Sequence, residues 1–350
     1  MKYNRLGHTD LRVSELGLGC QSLGGGLHHR DRKQSIALVR KALDEGVTFF
    51  DTSDHYSQGL SEQWLGEALE GQRQKVVLAT KAGTRYTPLG SLAGRIRPIL
   101  MPFRRQLRPL KVPIHRIRAT RKRQDFNTSY LIRSVDNSLR RLNTDYLDLF
   151  QLHKPPANVL AADDWRETLE RLRECGKIRS YGISCATVDD AVLCLGMPGI
   201  AAVQVGASLL DQVAITKLLG RVEQRSLGVI VRNPRAQGHL TAELSDIMAE
   251  TYAKSNAEVT ERKQRAEGFS FLISEDRTLA QAALQFVLQL PGVTTAIPRA
   301  INVQQLMENL GTLRAPPLTG AEMARIAALQ SASATTIRRN GIDIDAVQDA

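Results

Sequence analysis

Apolar runs short enough to be strands alternate with amphipathic stretches long enough to be helices, eight times over, between residues 16 and 310. The runs lie at 16–20, 47–51, 76–81, 146–153, 178–184, 202–206, 228–232 and 293–297, and the stretches at 31–45, 61–70, 127–142, 164–174, 187–195, 214–224, 277–290 and 302–310. Near-continuous apolar runs suit strands buried on both faces, and a parallel strand needs a crossover, usually a helix, to reach its neighbour. Eight such units predict an α/β fold, a (β/α)8 TIM barrel. An N-terminal β-hairpin is expected before it, from Tyr3-Asn4-Arg5-Leu6-Gly7 and Val13-Ser14-Glu15-Leu16. The competing doubly wound nucleotide-binding sheet has a weak claim through Gly17-Leu18-Gly19-Cys20, but Ser22 stands where the third glycine of that motif is required.

Two connections break the rhythm. Residues 84–126 separate the third strand from its helix and hold five prolines (Pro88, Pro98, Pro102, Pro109, Pro113), which exclude a long continuous helix. Residues 233–276 follow the seventh strand and include a polar, helix-like stretch at 244–266. Both follow strands, so both are expected as long loops on the catalytic face. The chain is expected to be a single domain over 1–330, with 84–126 as a basic insertion and 331–350 as a loosely held tail.

The insertion also holds the charge. It carries 12 of the 47 Lys and Arg residues and one acid, Asp125, so it accounts for the whole net charge of +11. The simplest reading is a solvated arginine-rich loop over the barrel mouth. The other readings are a guide for an anionic substrate and cofactor, a dock for an acidic partner such as a carrier protein, and contact with nucleic acid or a membrane surface. Only Tyr86, Phe103 and Phe126 interleave with the charges, which argues against base stacking and so against nucleic acid.

Other classes are excluded more simply. No apolar stretch approaches the roughly 20 residues that span a bilayer, and the N-terminus lacks a signal-peptide core, so a cytoplasmic location is the expectation. Cys20, Cys175, Cys185 and Cys194 have neither metal-ligand spacing nor disulfide density and read as free thiols. No metal site is expected: the adjacent His28-His29 pair has no carboxylate cluster beside it. Asn127-Thr128-Ser129 matches a glycosylation acceptor, but it opens an amphipathic stretch and reads as a helix N-cap.

Four ionisable residues end, or closely follow, three of the apolar runs: Asp51 and Tyr56, Lys81, and His153. If these strands share one barrel, the four side chains meet in one pocket. A free tyrosine titrates near 10 and is a poor acid at neutral pH. A lysine cation beside it would lower that value, and a carboxylate would hold the lysine charged. A histidine at the rim could donate to a carbonyl oxygen while a reduced cofactor delivers hydride from the other side.

At these residues the chain closely resembles the aldo-keto reductase superfamily, in its bacterial branch. The matching segments are Phe50-Asp51-Thr52-Ser53-Asp54-His55-Tyr56, Ala79-Thr80-Lys81, the run from Arg140 to His153, Gly182-Ile183-Ser184, Ile297-Pro298 and Glu308-Asn309-Leu310, spread in order over residues 3–330. The resemblance implies an NADP(H)-dependent reductase of small aldehydes or ketones, with Tyr56 as general acid, Asp51 and Lys81 tuning it, and His153 positioning the carbonyl. It implies further that Ser184 and Gln204 hold the nicotinamide carboxamide and that Arg232 stacks on the ring where many members have tyrosine. Residues from Asn233 through Arg235 to Gly238 would follow the pyrophosphate. Pro298, Arg299, Gln305, Glu308 and Asn309 match the adenosine end, with Arg299 suited to a 2′-phosphate. Gly19, Cys20 and Cys185 end candidate strands and are expected to approach the cofactor, the two thiols as inert lining.

Two residues depart from the family pattern. Cys185 replaces the usual asparagine beside the serine, and Gln305 stands where an arginine often grips the 2′-phosphate, which weakens the expected preference for NADP(H) over NAD(H). Two functions follow: a carbonyl reductase, whose substrate could be anionic or carrier-bound, or a catalytically weak NADP(H)-binding accessory subunit that meets a partner through the insertion. The presence of all four catalytic residues favours the enzyme.

Overall fold

The structure, a computed structural model, describes residues 1–24, 31–86, 122–222, 226–241 and 256–339. Most of the basic insertion (87–121), the His28-His29 pair and much of the polar stretch before residue 256 lie outside the described residues.

Strands β1 (Tyr3–Arg5) and β2 (Arg12–Ser14) form the antiparallel hairpin, with Tyr3 opposite Ser14. Eight parallel strands make the main sheet: β3 (Leu18–Gly19), β4 (Phe49–Asp51), β5 (Val77–Ala82), β8 (Leu147–His153), β9 (Ile178–Ser184), β10 (Ile200–Gly206), β11 (Gly228–Arg232) and β12 (Thr295–Ile297). Each pairs with the next in chain order. Parallel bridges Leu16–Ala296 and Gly19–Arg299 join the two edges. The result is a (β/α)8 barrel with no long exposed strand edge.

The strand that opens the main sheet, at the closing seam, is the shortest. It covers two residues rather than the expected 16–20, because Cys20 already begins a 3-10 turn, Cys20–Ser22. Leu23 N–H donates to Cys20 O there, so the chain leaves the sheet. The stretch at 214–224 contains a π-helical turn, Ile215–Leu219, in place of a regular α-helix. The final helix, Gly320–Arg339, carries regular structure into the residues expected to be a tail.

The helices begin where capping side chains satisfy their first free N–H groups. Asn127 caps helix Thr128–Leu142 by accepting from Tyr130 N–H at 2.8 Å, as its N-cap reading required. Thr187 and Asp190 form a capping box at Val188–Cys194, and Thr278 and Gln281 another at Leu279–Leu288. Each cap contributes about 1 kcal/mol.

An apolar cluster fills the interior of the barrel: Leu6, Leu11 and Val13 from the hairpin meet Phe49, Val77, Ala79, Leu149, Ala202, Ile230 and Ile297 from the strands. The hairpin therefore plugs the N-terminal end. Gly7 makes the plug fit: it sits at φ +57, and a Cβ there would lie 2.4 Å from Ala201 O. At the opposite end β6 (Thr84–Tyr86) pairs with β7 (Lys122–Gln124), forming an antiparallel stem at the two ends of the insertion. Gln124 Nε2 donates to Lys154 O at 2.9 Å, which ties this stem to the residue after His153.

Candidate active site

Side chains alternate along a strand, so residues two apart share a face. The inward apolar positions Phe49, Ala79, Leu149, Ala202 and Ile230 are each followed, two residues later, by Asp51, Lys81, Gln151, Gln204 and Arg232. A step of two residues toward the strand C-termini turns the barrel interior from hydrocarbon to charge.

In this polar layer Lys81 is fully buried and Asp51 is 2% exposed. Lys81 Nζ lies 2.5 Å from Asp51 Oδ2 and donates to Thr52 O at 2.8 Å. The other carboxylate oxygen, Asp51 Oδ1, accepts from Gln151 Nε2 at 3.1 Å and Gln204 Nε2 at 2.9 Å. Ser184 Oγ in turn donates to Gln204 Oε1 at 3.1 Å. A buried ion pair is costly unless its remaining lone pairs are satisfied, and here both oxygens are engaged. Burial works to lower the Lys81 pKa, but Asp51 and Tyr56 outweigh it and hold the ammonium charged.

Tyr56 follows β4 on a 3-10 turn, Tyr56–Gly59, with its ring centroid 5.2 Å from Lys81 Nζ. Ser57 and Gln58 are left-handed (φ 50 and 58), and Gly59 (φ 92) fits because a Cβ would lie 2.7 Å from Arg141 Cδ. Strain of this kind, of order 1–3 kcal/mol per residue, persists only where packing over-determines it. The lysine does pull the Tyr56 pKa down, as the sequence suggested, yet burial is the larger influence and the net shift is upward. At neutral pH the phenol keeps its proton.

His153 ends β8 and is 8% exposed. Its pKa falls well below the usual imidazole value, first through burial and then through His55, Lys81, Lys154 and Arg232. The ring is neutral at pH 7, with Nδ1 3.3 Å from Ser53 Oγ. The His55 ring lies 4.6 Å from that of His153 and 4.9 Å from that of Tyr56.

One cavity of about 340 Å³ opens over this layer. Of the four residues expected to be catalytic, Asp51, Tyr56 and His153 line it, while Lys81 lies beneath them. Gly19, Cys20, Gln204, Arg232, Asn233, Arg235, Gly238, Pro298, Arg299 and Gln305 also line it. Ser184, Cys185, Glu308 and Asn309 stand behind the wall: Ser184 holds Gln204, Glu308 accepts from Thr278 Oγ1 at 3.3 Å, and Asn309 Nδ2 donates to Arg299 O at 3.5 Å. A hydrogen bond with Cys194 and burial push the Cys185 thiol pKa well up, and burial pushes Cys20 up, so both are protonated and unreactive. Arg235 is lowered to about 10 by burial, with Glu308 opposing and Arg299 adding to the shift, and it remains a cation.

The sequence assigns no role to Gln151, Ser53 or His55, which the structure brings into or beside this layer. Gln151 was legible in principle, lying two residues before His153 on the same inward face. Nothing periodic marks Ser53 or His55, whose places depend on the turn after β4.

The Aldo/keto reductase family model matches residues 15–331. The uncharacterized oxidoreductase YqkF of Bacillus subtilis is 30% identical over 339 residues, spanning 95% of this chain and 96% of its own. Pyridoxal 4-dehydrogenase of Microbacterium luteolum is 27% identical over 325 residues, 87% of this chain and 91% of its own. Among solved structures, the holo form of the aldo-keto reductase AKR11C1 from Bacillus halodurans is 31% identical with a TM-score of 0.74, over 94% of this chain and 96% of its own. An aldo/keto reductase from Klebsiella pneumoniae, solved in complex with NADP and acetate, is 27% identical with a TM-score of 0.64, over 94% and 95%. No helix of the described residues is long and apolar enough to cross a membrane. With a family match across nearly the whole barrel, the chain is an oxidoreductase belonging to the aldo-keto reductase family.

Proposed function

We propose that the protein is an NADP(H)-dependent reductase that converts a small aldehyde or ketone to the alcohol. The observation that carries this reading is the stacking of functions in one cavity: a protonated Tyr56 over the buried Lys81–Asp51 pair, a neutral His153 beside it, and three arginines along the wall.

The residues present fit the cofactor. Arg235 and Arg299 supply cationic edges for phosphate, Arg232, beside Gln204, offers a flat face for the nicotinamide, and Gln204 lines the floor. Asn309 Oδ1 is buried with no hydrogen-bond partner among the described residues, an unsatisfied acceptor directly behind Arg299, whose carbonyl its Nδ2 holds. The Klebsiella relatives, in complex with NADP and with NADPH, support the same choice. Arg299 would face the 2′-phosphate. Gln305, with no charge and with its Oε1 taken by Ile301 N–H at 3.0 Å, adds little there, so the preference for NADP(H) rests on Arg299 and NAD(H) remains a weaker alternative.

When bound, the reduced nicotinamide supplies hydride to the carbonyl carbon. His153 orients the carbonyl oxygen by a hydrogen bond. As negative charge grows on that oxygen, Tyr56 transfers its phenolic proton and becomes a phenolate that the Lys81 cation stabilises. Carbonyl, hydride and proton together give the alcohol. The reading is tested by NADPH consumption against a carbonyl library with wild type and Tyr56→Phe. Loss of turnover with NADPH binding intact supports it, and near wild-type rates on the best substrate overturn it.

A further inference from the structure

Two imidazoles share one hydroxyl beside the reaction centre. Ser53 is fully buried, and its Oγ lies 2.9 Å from His55 Nδ1 and 3.3 Å from His153 Nδ1. A serine hydroxyl has one hydrogen and two lone pairs. It can donate to only one imidazole, so a ring that does not receive that hydrogen must bond to Ser53 by donating its own.

The consequence for His153 is a choice of tautomer. If Ser53 donates to His153 Nδ1, the ring hydrogen sits on Nε2, the nitrogen left for the cavity. If Ser53 donates to His55, His153 bonds to Ser53 through Nδ1–H, and its Nε2 becomes a lone pair that repels a carbonyl oxygen. Within one imidazole, the nitrogen that carries the hydrogen is set by the hydrogen bond the other nitrogen makes.

Three further contacts bear on these arrangements. Asp54 Oδ1 lies 3.8 Å from His55 Nδ1, and an accepting carboxyl oxygen on that side favours a hydrogen on that nitrogen. Lys81 O, 3.1 Å from Ser53 Oγ, already accepts Asp54 N–H at 3.0 Å, so it does not need the serine proton. Asp54 Oδ1 also lies within 3.3 Å of Ser53 Oγ, while its other oxygen accepts from Tyr130 O–H at 3.1 Å.

We propose that Ser53 and His55 are positioning residues: His55 donates from Nδ1 to Ser53, Ser53 donates to His153 Nδ1, and His153 thereby presents Nε2–H to the substrate carbonyl. This rests on the reading of His153 as the carbonyl guide. Neither residue touches the reacting atoms. Asp54 biases the relay by favouring the hydrogen on His55.

The test uses the full-length protein and two readouts. Long-range 1H–15N correlation spectra report the His153 tautomer without any substrate, and steady-state kinetics report kcat, KM and NADPH affinity. Wild type is expected to show Nε2–H at His153. His55→Phe keeps an aromatic ring against Tyr56 and His153 but removes the donor; it is expected to shift His153 towards Nδ1–H and lower kcat roughly 10- to 100-fold, with NADPH affinity unchanged. His55→Gln, whose amide N–H can donate to Ser53, is expected to recover most of that loss. Ser53→Ala should reproduce the tautomer shift by removing the shared hydroxyl. An Nδ1–H tautomer in wild type, or an unchanged tautomer in both His55→Phe and Ser53→Ala, overturns the relay. Failure of the carbonyl-reductase reading would appear separately, as full turnover by Tyr56→Phe, while the tautomer spectra would still judge the relay.

Discussion

The two ends of the barrel are made by the same strands and differ by a step of two residues. At the N-terminal end Leu6, Leu11 and Val13 press into Phe49, Ala79, Leu149, Ala202 and Ile230. At the C-terminal end the next inward positions are Asp51, Lys81, Gln151, Gln204 and Arg232. Burying each large apolar side chain contributes roughly 1.5–3 kcal/mol, whereas a buried ion pair at best roughly offsets its own desolvation. One end therefore holds the barrel together and the other is held by it.

The largest effect that could break this division is on turnover. Tyr56→Phe removes one hydroxyl from the polar end, and the expected loss in kcat is roughly 10²- to 10⁴-fold with the unfolding midpoint unchanged. Stopped-flow NADPH oxidation and urea melts on the same preparation check both halves of that statement. The mirror experiment is Leu6→Ala in the plug. It should cost roughly 2–5 kcal/mol in urea melts while leaving kcat per folded molecule as it was. A large fall in kcat in that variant would show that the plug also shapes the site.

A finer test concerns a carboxyl group at the polar end that works against folding. Asp54 is raised to about 7, first by burial and then by Glu62, against hydrogen bonds from Tyr130 and Ser53 and the charge of Arg141. An acid whose folded pKa lies above its unfolded value near 4 keeps a proton that the unfolded chain has released, so folding becomes less favourable as pH rises from about 4 to 7. Asp54→Asn removes that penalty. Melts at pH 8 should show a gain of roughly 1–3 kcal/mol over wild type, and the gain should vanish at pH 4. A variant no more stable at pH 8 than at pH 4, each relative to wild type, would reject a proton-holding Asp54.

The smallest expected effect lies at the cavity rim. Arg299→Ala should weaken NADPH binding about tenfold and leave NADH binding nearly unchanged, since a single charge-assisted contact contributes about 1.5–3 kcal/mol where it is shielded and less where it is wet. Fluorescence titration with both nucleotides measures the difference. Equal weakening of both would move Arg299 from the 2′-phosphate to a shared part of the cofactor.

Much of this architecture was legible from the chain. The runs ending at Asp51, Lys81 and His153 are apolar and strand-length, and parallel strands bring their C-terminal ends to one face. The Asn127 cap was legible because capping is a local bargain between a side chain and the backbone three residues on. The first strand was not, because Cys20 leaves the sheet for a 3-10 turn that only the seam with β12 explains. The upward shift of Tyr56 was also hidden, since burial is set by the packing around a residue. Ser184 and Asn309 could be named as cofactor residues from their motifs, but their places behind the cavity wall come from side-chain direction.

The sequence by itself determined the eightfold alternation, the hairpin and the set of ionisable groups at the strand ends, because strand period, helix period and caps are encoded within a few residues of one another. Only the tertiary structure decided how those groups share protons. Ser53, His55 and His153 meet around one hydroxyl because a strained turn after β4 folds back over β8, and Asp51 joins Lys81, Gln151 and Gln204 because barrel closure turns four strands inward at one height. Such contacts depend on distance in space, and their low-dielectric surroundings exist only once the chain has packed.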